Sequence, residues 1–364
     1  MDKLDSFLHD LEHLYYDGKN WLQNITLGDT DKSKVLLAVG VVLLLCYFIR
    51  KFFAGGVCRS KARLDGKTII ITGSNAGIGF GAANDFYGRG ARVIMACRNM
   101  ERAGKATTKI KDTYNNIAGA ITGEIVNYSL DISSMASIRK FVTTILEKED
   151  NIDILVNNAG IIQPINQSQY LTEDGFDLTI GTNHLGPFLL TNLLLDKLSN
   201  AKHKPARIVN VSSEAYLWGK IHTEDLNFGG AAPFPGSFAA YGQSKLCNIL
   251  FTHELKKRTE DLNISTYVLH PGTVQTNIAR DKSPWYLWLP MKFLGDPLLW
   301  LFAKSATQGA QTTIYCAVDE SIENDSGKYY CDCKETQLKP IGKDEETAEK
   351  LWMLSEKLVK LESK

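Results

Sequence analysis

Tyr241 and Lys245 are well suited to proton chemistry, because they stand four positions apart and a helix would place both on one face. Hydride transfer to a ketone or aldehyde leaves a developing alkoxide, which must take up a proton. A tyrosine phenol can donate that proton, and an adjacent lysine cation lowers its ordinary pKa of roughly 10 by stabilising the phenolate. The spacing alone does not select this pair, since it recurs at Tyr15/Lys19, Tyr47/Lys51, Tyr216/Lys220 and Tyr330/Lys334.

A glycine-rich segment supplies the missing context. Residues Thr72–Gly79 read Thr-Gly-Ser-Asn-Ala-Gly-Ile-Gly, between the apolar run Thr68–Ile71 and the helix-like stretch Phe80–Phe86. In a strand, glycine turn and helix N-terminus of this kind, the backbone can approach a pyrophosphate closely, and the helix N–H groups and dipole stabilise its charge. A tight turn without a ligand would use the same residues. The predicted contacts are Gly73, Ser74, Asn75, Gly77, Ile78 and Gly79.

Apolar runs alternate with helix-length segments along the chain from residue 66 onward. Alternation at this spacing predicts βαβ units and a parallel sheet covered by helices on both faces. The expected fold is therefore α/β, a single Rossmann-type doubly wound parallel sheet over residues 66–364. The predicted strands are Thr68–Thr72, Arg92–Ala96, Glu124–Ser129, Ile152–Asn157, Arg207–Ser212 and Ser265–His270.

The spacing of the glycines resembles the short-chain dehydrogenase/reductase family, as does the order of the motifs around Asp131, Asn158 and Pro271. The resemblance implies that Ser213, directly after the predicted strand Arg207–Ser212, binds the substrate oxygen. It also implies that Tyr241 and Lys245 carry the proton chemistry and contact the cofactor. Ser212 is the neighbour most easily confused with Ser213. Asn183 would steady a water beside Lys245.

The same resemblance implies further contacts to a nicotinamide dinucleotide. Asp131 stands where the adenine ring would lie. Asn158, Ala159 and Gly160 end the fourth strand, where the family's backbone runs beside the cofactor. A last group, expected at the nicotinamide and diphosphate, comprises Pro271, Gly272, Val274 and Thr276.

The residue after the second strand predicts which cofactor is used. An acidic residue there would bind the ribose 2′-hydroxyl of NAD, whereas an arginine suits the 2′-phosphate of NADP. Arg98 occupies this position, with Arg102 and Lys105 following. The sequence therefore predicts NADP(H).

The family branch is indicated by several segments. Tyr241 follows Ser213 by 28 positions, and the motifs Ala96–Met100, Lys245–Phe251 and His270–Gly272 resemble the microsomal retinol dehydrogenases. The catalytic part of the WW-domain oxidoreductase is at least as similar, although this chain has no WW module. The branch implies a hydride transfer between NADP(H) and a hydrophobic alcohol or carbonyl, a retinoid first of all.

The segment 285–302 indicates the polarity of the substrate, because in members of the family this region covers the bound substrate. Large apolar residues crowd it, which suits a retinoid, a steroid or a lipid aldehyde, although an amphipathic helix packed on the core would account for many of them. Two further readings stay open: a steroid or lipid-aldehyde carbonyl reductase, and a non-catalytic NADP(H)-binding membrane scaffold. The residues are Trp285, Tyr286, Leu287, Trp288, Leu289, Met291, Phe293, Leu294, Leu298, Leu299, Trp300, Leu301 and Phe302.

An apolar run near the N-terminus predicts a membrane anchor at residues 35–57, after a polar segment at 1–34. The uncharged core, Val35–Ile49, is short for a span of about 20 residues, but Lys34, Arg50 and Lys51 could extend to the interfaces. The flank after the run is the more basic, so the catalytic domain is expected in the cytosol. The branch implies the endoplasmic reticulum membrane, crossed once, and Asn24 begins a glycosylation sequon on the other side.

Composition excludes some other classes of function. Lys plus Arg and Asp plus Glu both number 41, so the charge offers no support for nucleic-acid binding. The seven cysteines are scattered, without metal-ligand spacing, which suggests reduced thiols and no metal. The expected partners are a hydrophobic small molecule and a membrane, with a homo-oligomer left open.

Overall fold

The computed structural model describes residues 29–115, 117–119, 121–164, 169–228, 234–274 and 301–361. The chain divides into two units, Met1–Phe53 and Ala54–Lys364. In the first unit, helix α1 (Asp29–Phe53) contains the stretch Ser33–Phe53, which is long and apolar enough to cross a membrane. This helix ends at Phe53, inside the span 35–57 expected from the sequence.

The second unit contains an α/β sheet whose strands alternate with helices. In chain order these elements are β1 (Thr68–Thr72), α2 (Gly77–Gly88), β2 (Arg92–Cys97), α3 (Met100–Asn115), β3 (Glu124–Ser129), α4 (Met135–Lys148), β4 (Ile154–Asn157), α5 (Leu178–Ile180), a π-helical turn (Gly181–Leu185), α6 (Gly186–Ser199), β5 (Ala206–Val211), a 3₁₀ turn (Glu214–Trp218), α7 (Ser237–Arg258), β6 (Ile264–His270), α8 (Ala306–Val318), β7 (Tyr329–Cys331), β8 (Lys334–Glu335) and α9 (Glu345–Val359).

The strands form one sheet in the order β3-β2-β1-β4-β5-β6-β7-β8. Every pairing is parallel except that of β7 with β8. The six strands expected from the sequence are therefore confirmed to within two residues at each end. The strands β7 and β8 were not predicted, because they are short and carry no long apolar run.

Alternate side chains of each central strand face opposite sides of the sheet. In β1, Ile70 packs with helices α4, α6, α7 and α9, whereas Ile69 and Ile71 pack with α2, α3 and α8. All three are fully buried. Burial on both faces explains the uninterrupted apolar strand and confirms the doubly wound arrangement. The sheet order reverses beside β1, and ligands bind α/β sheets at such a reversal, outside the carboxyl ends of the strands.

Candidate active site

The glycine turn leaves room for an anion at the start of α2. Gly73 has φ +65°, and a Cβ on it would lie 3.0 Å from the Cα of Ala159; a Cβ on Gly79 would lie 2.5 Å from Asn158 Nδ2. The N-cap residue Ala76 offers no side-chain cap in this described segment, so the first N–H groups of α2 remain available for a phosphate. These residues fit the pyrophosphate of a dinucleotide.

Thr72 joins the glycine turn to the segment after β4. Its Oγ1 accepts hydrogen bonds from the backbone N–H groups of Asn158 and Ala159, each at 3.0 Å, and Asn158 Nδ2 donates to Thr72 O at 2.9 Å. Ser74 is buried and its Oγ donates to Ile71 O, so it stabilises the turn from within. Asn75, Gly77 and Ile78 belong to the same turn and are half-buried.

Arg98 and Asp131, which the sequence analysis expects at the adenosine end of the cofactor, lie close together after β2 and β3. Arg98 Nη1 lies 3.7 Å from Asp131 Oδ2, and the arginine side chain is 77% exposed. Asp131 Oδ1 accepts hydrogen bonds from Ser133 N–H and Oγ–H, which fixes the carboxylate. An exposed guanidinium held loosely by one carboxylate oxygen can still turn toward a phosphate.

Lys245 is a buried lysine in the middle of α7. Its Nζ donates to Val211 O at 3.0 Å and lies 5.5 Å from the centre of the Tyr241 ring. Burial disfavours the ammonium form and lowers the pKa of Lys245 to about 8. Ser212, by contrast, donates its Oγ–H to the Lys245 backbone oxygen at 2.7 Å, so it anchors α7 rather than facing the site.

Tyr241 lies one helical turn before Lys245 in α7, and its hydroxyl is within reach of the Ser213 side chain. Burial raises the pKa of Tyr241, and a hydrogen bond with the Ser213 side chain opposes that rise to a smaller extent. The direction is opposite to the lowering expected from Lys245, because the loss of hydration on burial is the largest influence on this phenol. The neutral phenol, the form that can donate a proton, is therefore favoured.

Asn183 lies in the π-helical turn between α5 and α6. Its Nδ2 donates to Ile161 O and to Ser244 Oγ, each at 2.9 Å, and its Oδ1 accepts from Ile161 N–H at 2.8 Å. A Cβ on Gly160 would be 3.3 Å from Lys245 Nζ and 3.4 Å from Asn183 Oδ1, so Gly160 separates these two groups. The π-turn, a feature frequent at functional sites, directs Asn183 inward.

His184, the next residue in this turn, has a structural role. It is buried, and burial lowers its pKa to about 3, so the ring is neutral. Its Nε2 lies 2.8 Å from Ser355 Oγ of α9, and its ring packs near Phe188 and Phe251. The contact joins the π-turn to the C-terminal helix.

The segment after β6 brings Pro271, Gly272 and Val274 to the same edge of the sheet. Pro271 is buried, Gly272 has φ +87°, and Val274 forms a bridge with Lys304. Thr276 lies outside the described residues, as does most of the apolar segment 285–302; of its members, Leu301 is half-buried and Phe302 is exposed. Sequence reasoning missed Lys304, since a single lysine beside an apolar segment carries no recognisable signal.

Comparison with known proteins identifies the family of the chain. The family model for short chain dehydrogenase matches residues 67–225. The chain is 42% identical to human retinol dehydrogenase 12, over 84% of this chain and 90% of that protein, and 42% identical to human retinol dehydrogenase 14, over 90% and 98%.

Solved structures share the fold as well. A crystal structure of a protein from Mycobacterium Paratuberculosis is 31% identical, with a TM-score of 0.64 over 84% of this chain and 98% of that one. Levodione reductase, at 19% identity and a TM-score of 0.55 over 73% and 96%, shares the fold alone. The chain belongs to the short-chain dehydrogenase family. It is a nicotinamide-dependent oxidoreductase. Within the family, its sequence is similar to those of the retinol dehydrogenases.

Proposed function

We propose that this protein interconverts a hydrophobic alcohol and its carbonyl, most specifically retinol and retinal, with NADP(H). The observation that carries the proposal is the grouping of Ser213, Tyr241 and Lys245 at the carboxyl edge of the sheet, beside a glycine turn that fits a pyrophosphate. Identity of 42% to two retinol dehydrogenases supports the choice of substrate.

Each side chain has a distinct part in the proposed reduction. The chemistry that a bound nicotinamide supplies is hydride transfer to the carbonyl carbon. Ser213 Oγ–H donates a hydrogen bond to the carbonyl oxygen and holds it next to Tyr241. The Tyr241 phenol gives its proton to that oxygen as negative charge develops, and the protonated Lys245 stabilises the resulting phenolate. Asn183 stabilises the Ile161 backbone and the helix that carries both residues.

NADP(H) rather than NAD(H) is proposed from the charge at the adenosine end. Arg98 is exposed at the carboxyl end of β2, and its guanidinium lies 3.7 Å from the carboxylate of Asp131. A guanidinium donates paired hydrogen bonds to a phosphate, so the 2′-phosphate could replace Asp131 as its partner. Asp131 would then be free to accept a hydrogen bond from the adenosine.

Replacing Arg98 by alanine should raise the KM for NADPH by about 10- to 100-fold, because a hydrogen bond to a charged group contributes about 1.5–3 kcal/mol. The KM for NADH should change by less than about 3-fold, since NADH lacks the phosphate. Initial rates with both cofactors measure this. Arg63→Ala is the matched control: Arg63 is also exposed but pairs with Asp65, away from the site. Equal use of NADH and NADPH by the unaltered protein would exclude the assignment.

Membrane anchoring through α1 is part of the proposal. The helix contains an uninterrupted apolar stretch, exposes large side chains such as Leu37 and Phe48, and carries the basic residues Arg50 and Lys51 in its last turn. Exposed apolar side chains on every side of a helix suit a lipid environment. We propose a single span in the endoplasmic reticulum membrane, with the catalytic domain (66–364) in the cytosol.

The deciding experiment is NADPH oxidation by the full-length protein in detergent with all-trans-retinal, with retinol measured as the product. Retinol formation that depends on NADPH and on Tyr241 is the expected result. Turnover of steroid ketones or lipid aldehydes but not of retinal would contradict a retinoid substrate and identify the protein as a reductase of those carbonyls. NADPH binding without turnover of any lipid carbonyl would contradict an enzyme and favour a cofactor-binding scaffold.

A further inference from the structure

Lys304 is a buried charged residue that the proposed reaction does not use. Its side chain is only 6% exposed, and its Nζ donates to Pro271 O at 3.0 Å and pairs with Asp332 Oδ1. Asp332 lies in the turn between β7 and β8, and its own side chain is 44% exposed. Burying an ammonium group without partners costs free energy, and here Pro271 O and the Asp332 carboxylate are the partners that offset this cost.

The backbone of Lys304 holds the same segment as its side chain. Lys304 N–H donates to Thr273 O at 2.7 Å, and Val274 forms a parallel bridge with Lys304. A Cβ on Gly272 would lie 2.7 Å from Lys304 Cε and Nζ, so the lysine side chain passes directly over that glycine. The path of residues 271–274 after β6 is therefore set by contacts with Lys304 at several points.

Helix α8, which begins two residues after Lys304, packs on α2, the helix that begins at the glycine turn. Cβ positions built on Gly309 lie 2.5 Å from Val274 Cγ2 and 3.3 Å from Ile78 Cγ1, and one on Gly81 lies 3.0 Å from Ala310 Cβ. A capping box formed by Ser305 and Gln308 fixes the start of α8. Lys304 thus lies at the junction between the 271–274 segment and the helix pair that forms the pyrophosphate end.

The segment that follows α1 covers the ion pair. A Cβ on Gly55 would lie 2.3 Å from Asp332 Oδ1 and 2.5 Å from Lys304 Nζ, and one on Gly56 would lie 1.9 Å from Asp332 O. Cys58 N–H then donates to Gln311 Oε1 of α8 at 3.0 Å. We call residues 55–58 the connector; only glycine at its first two positions permits this close contact.

We propose that Lys304 is a positioning residue for the nicotinamide end of the cofactor site. It holds Pro271 and Gly272 in place through its amine, Asp332 neutralises it, and the connector completes the enclosure of the pair. The inference rests on the proposed function and on the expectation from the sequence that Pro271, Gly272 and Val274 contact the nicotinamide and diphosphate. It adds that the connector, outside the cofactor cleft, is required for the geometry of that end.

The test compares two ligands with the full-length protein in detergent. NADPH contacts both ends of the site, and its bound fluorescence reports the nicotinamide environment; adenosine 2′,5′-bisphosphate contacts the adenosine end alone. Lys304→Met should weaken NADPH about 5- to 20-fold, lower kcat about 10-fold or more, and leave the bisphosphate affinity within about 2-fold, because small misplacements of bound groups cost up to about 100-fold in rate. Lys350→Met is the matched control, since Lys350 forms an exposed pair with Glu346.

Three further variants separate positioning from loss of folding. Lys304→Arg keeps the charge and the donors and should recover part of the NADPH affinity, while Asp332→Asn and Gly56→Ala should reproduce the selective loss. If Lys304→Met does not fold, the Asp332→Asn and Gly56→Ala results decide. In Lys304→Met, Asp332→Asn and Gly56→Ala, equal weakening of both ligands, or wild-type NADPH affinity and fluorescence, would overturn the inference alone. Failure of the unaltered protein to bind NADPH would overturn the proposed function, and the inference with it.

Discussion

Replacing Tyr241 by phenylalanine should lower kcat by about 10³-fold or more while leaving the affinity for NADPH within about 3-fold. The substitution removes only the phenolic oxygen, and general acid catalysis of this kind contributes about 10²–10⁴-fold. The ring, which is largely enclosed, keeps its packing, so the fold is retained. Steady-state kinetics with retinal and a fluorescence titration with NADPH measure the two quantities separately.

The matched control for that variant is Tyr216→Phe. Tyr216 also precedes a lysine by four positions, but its hydroxyl accepts a hydrogen bond from Lys339 N–H at 3.2 Å and its ring packs on Tyr329. Its loss should leave kcat within about 3-fold, because the hydroxyl has a partner outside the site. Residual activity of Tyr241→Phe above about a tenth of the unaltered rate would exclude Tyr241 as the proton donor.

Replacing Lys245 by methionine should abolish most turnover and at the same time raise the melting temperature. Burial lowers the pKa of Lys245 from 10.5 to about 8, so at neutral pH the folded state bears an ammonium that is more stable in the unfolded chain. That difference corresponds to about 3 kcal/mol. Methionine fills a similar volume without the charge, so we expect a melting temperature several degrees higher by calorimetry, with kcat lower by about 10²-fold or more.

The pH dependence of stability provides a second readout of the same residue. Because the folded pKa is below the unfolded one, the unfolded state binds the extra proton between pH 8 and 10.5, and stability rises with pH over that interval. The rise should be smaller in Lys245→Met, and the exposed control Lys350→Met should keep it. Reduction by the unaltered enzyme should decline above about pH 8 as Lys245 loses its charge. A lower melting temperature for Lys245→Met would show that the amine stabilises the fold.

The sequence by itself determined the features that depend on neighbouring residues. The apolar runs predicted the six parallel strands, because a strand buried on both faces must be apolar throughout, as Ile69, Ile70 and Ile71 illustrate. Glycines at 73 and 79 predicted a close backbone approach to a pyrophosphate, which stays a prediction, although a Cβ at either position would meet Ala159 or Asn158. The assignment of catalytic and cofactor-contact roles stays a prediction, although the residues assigned to them within the described chain lie along one edge of the sheet.

The tertiary structure alone decided the features that depend on contacts between distant segments. The pKa of Tyr241 depends on how completely the fold removes it from water, and burial reversed the direction expected from an adjacent lysine. The π-helical turn that directs Asn183 inward is five residues long, which is too short to produce a recognisable periodicity in the sequence. The ion pair between Lys304 and Asp332, under the glycines at 55 and 56, joins segments that are far apart in the chain. Local sequence patterns report local geometry, whereas burial and charge pairing arise only when the folded chain brings such segments together.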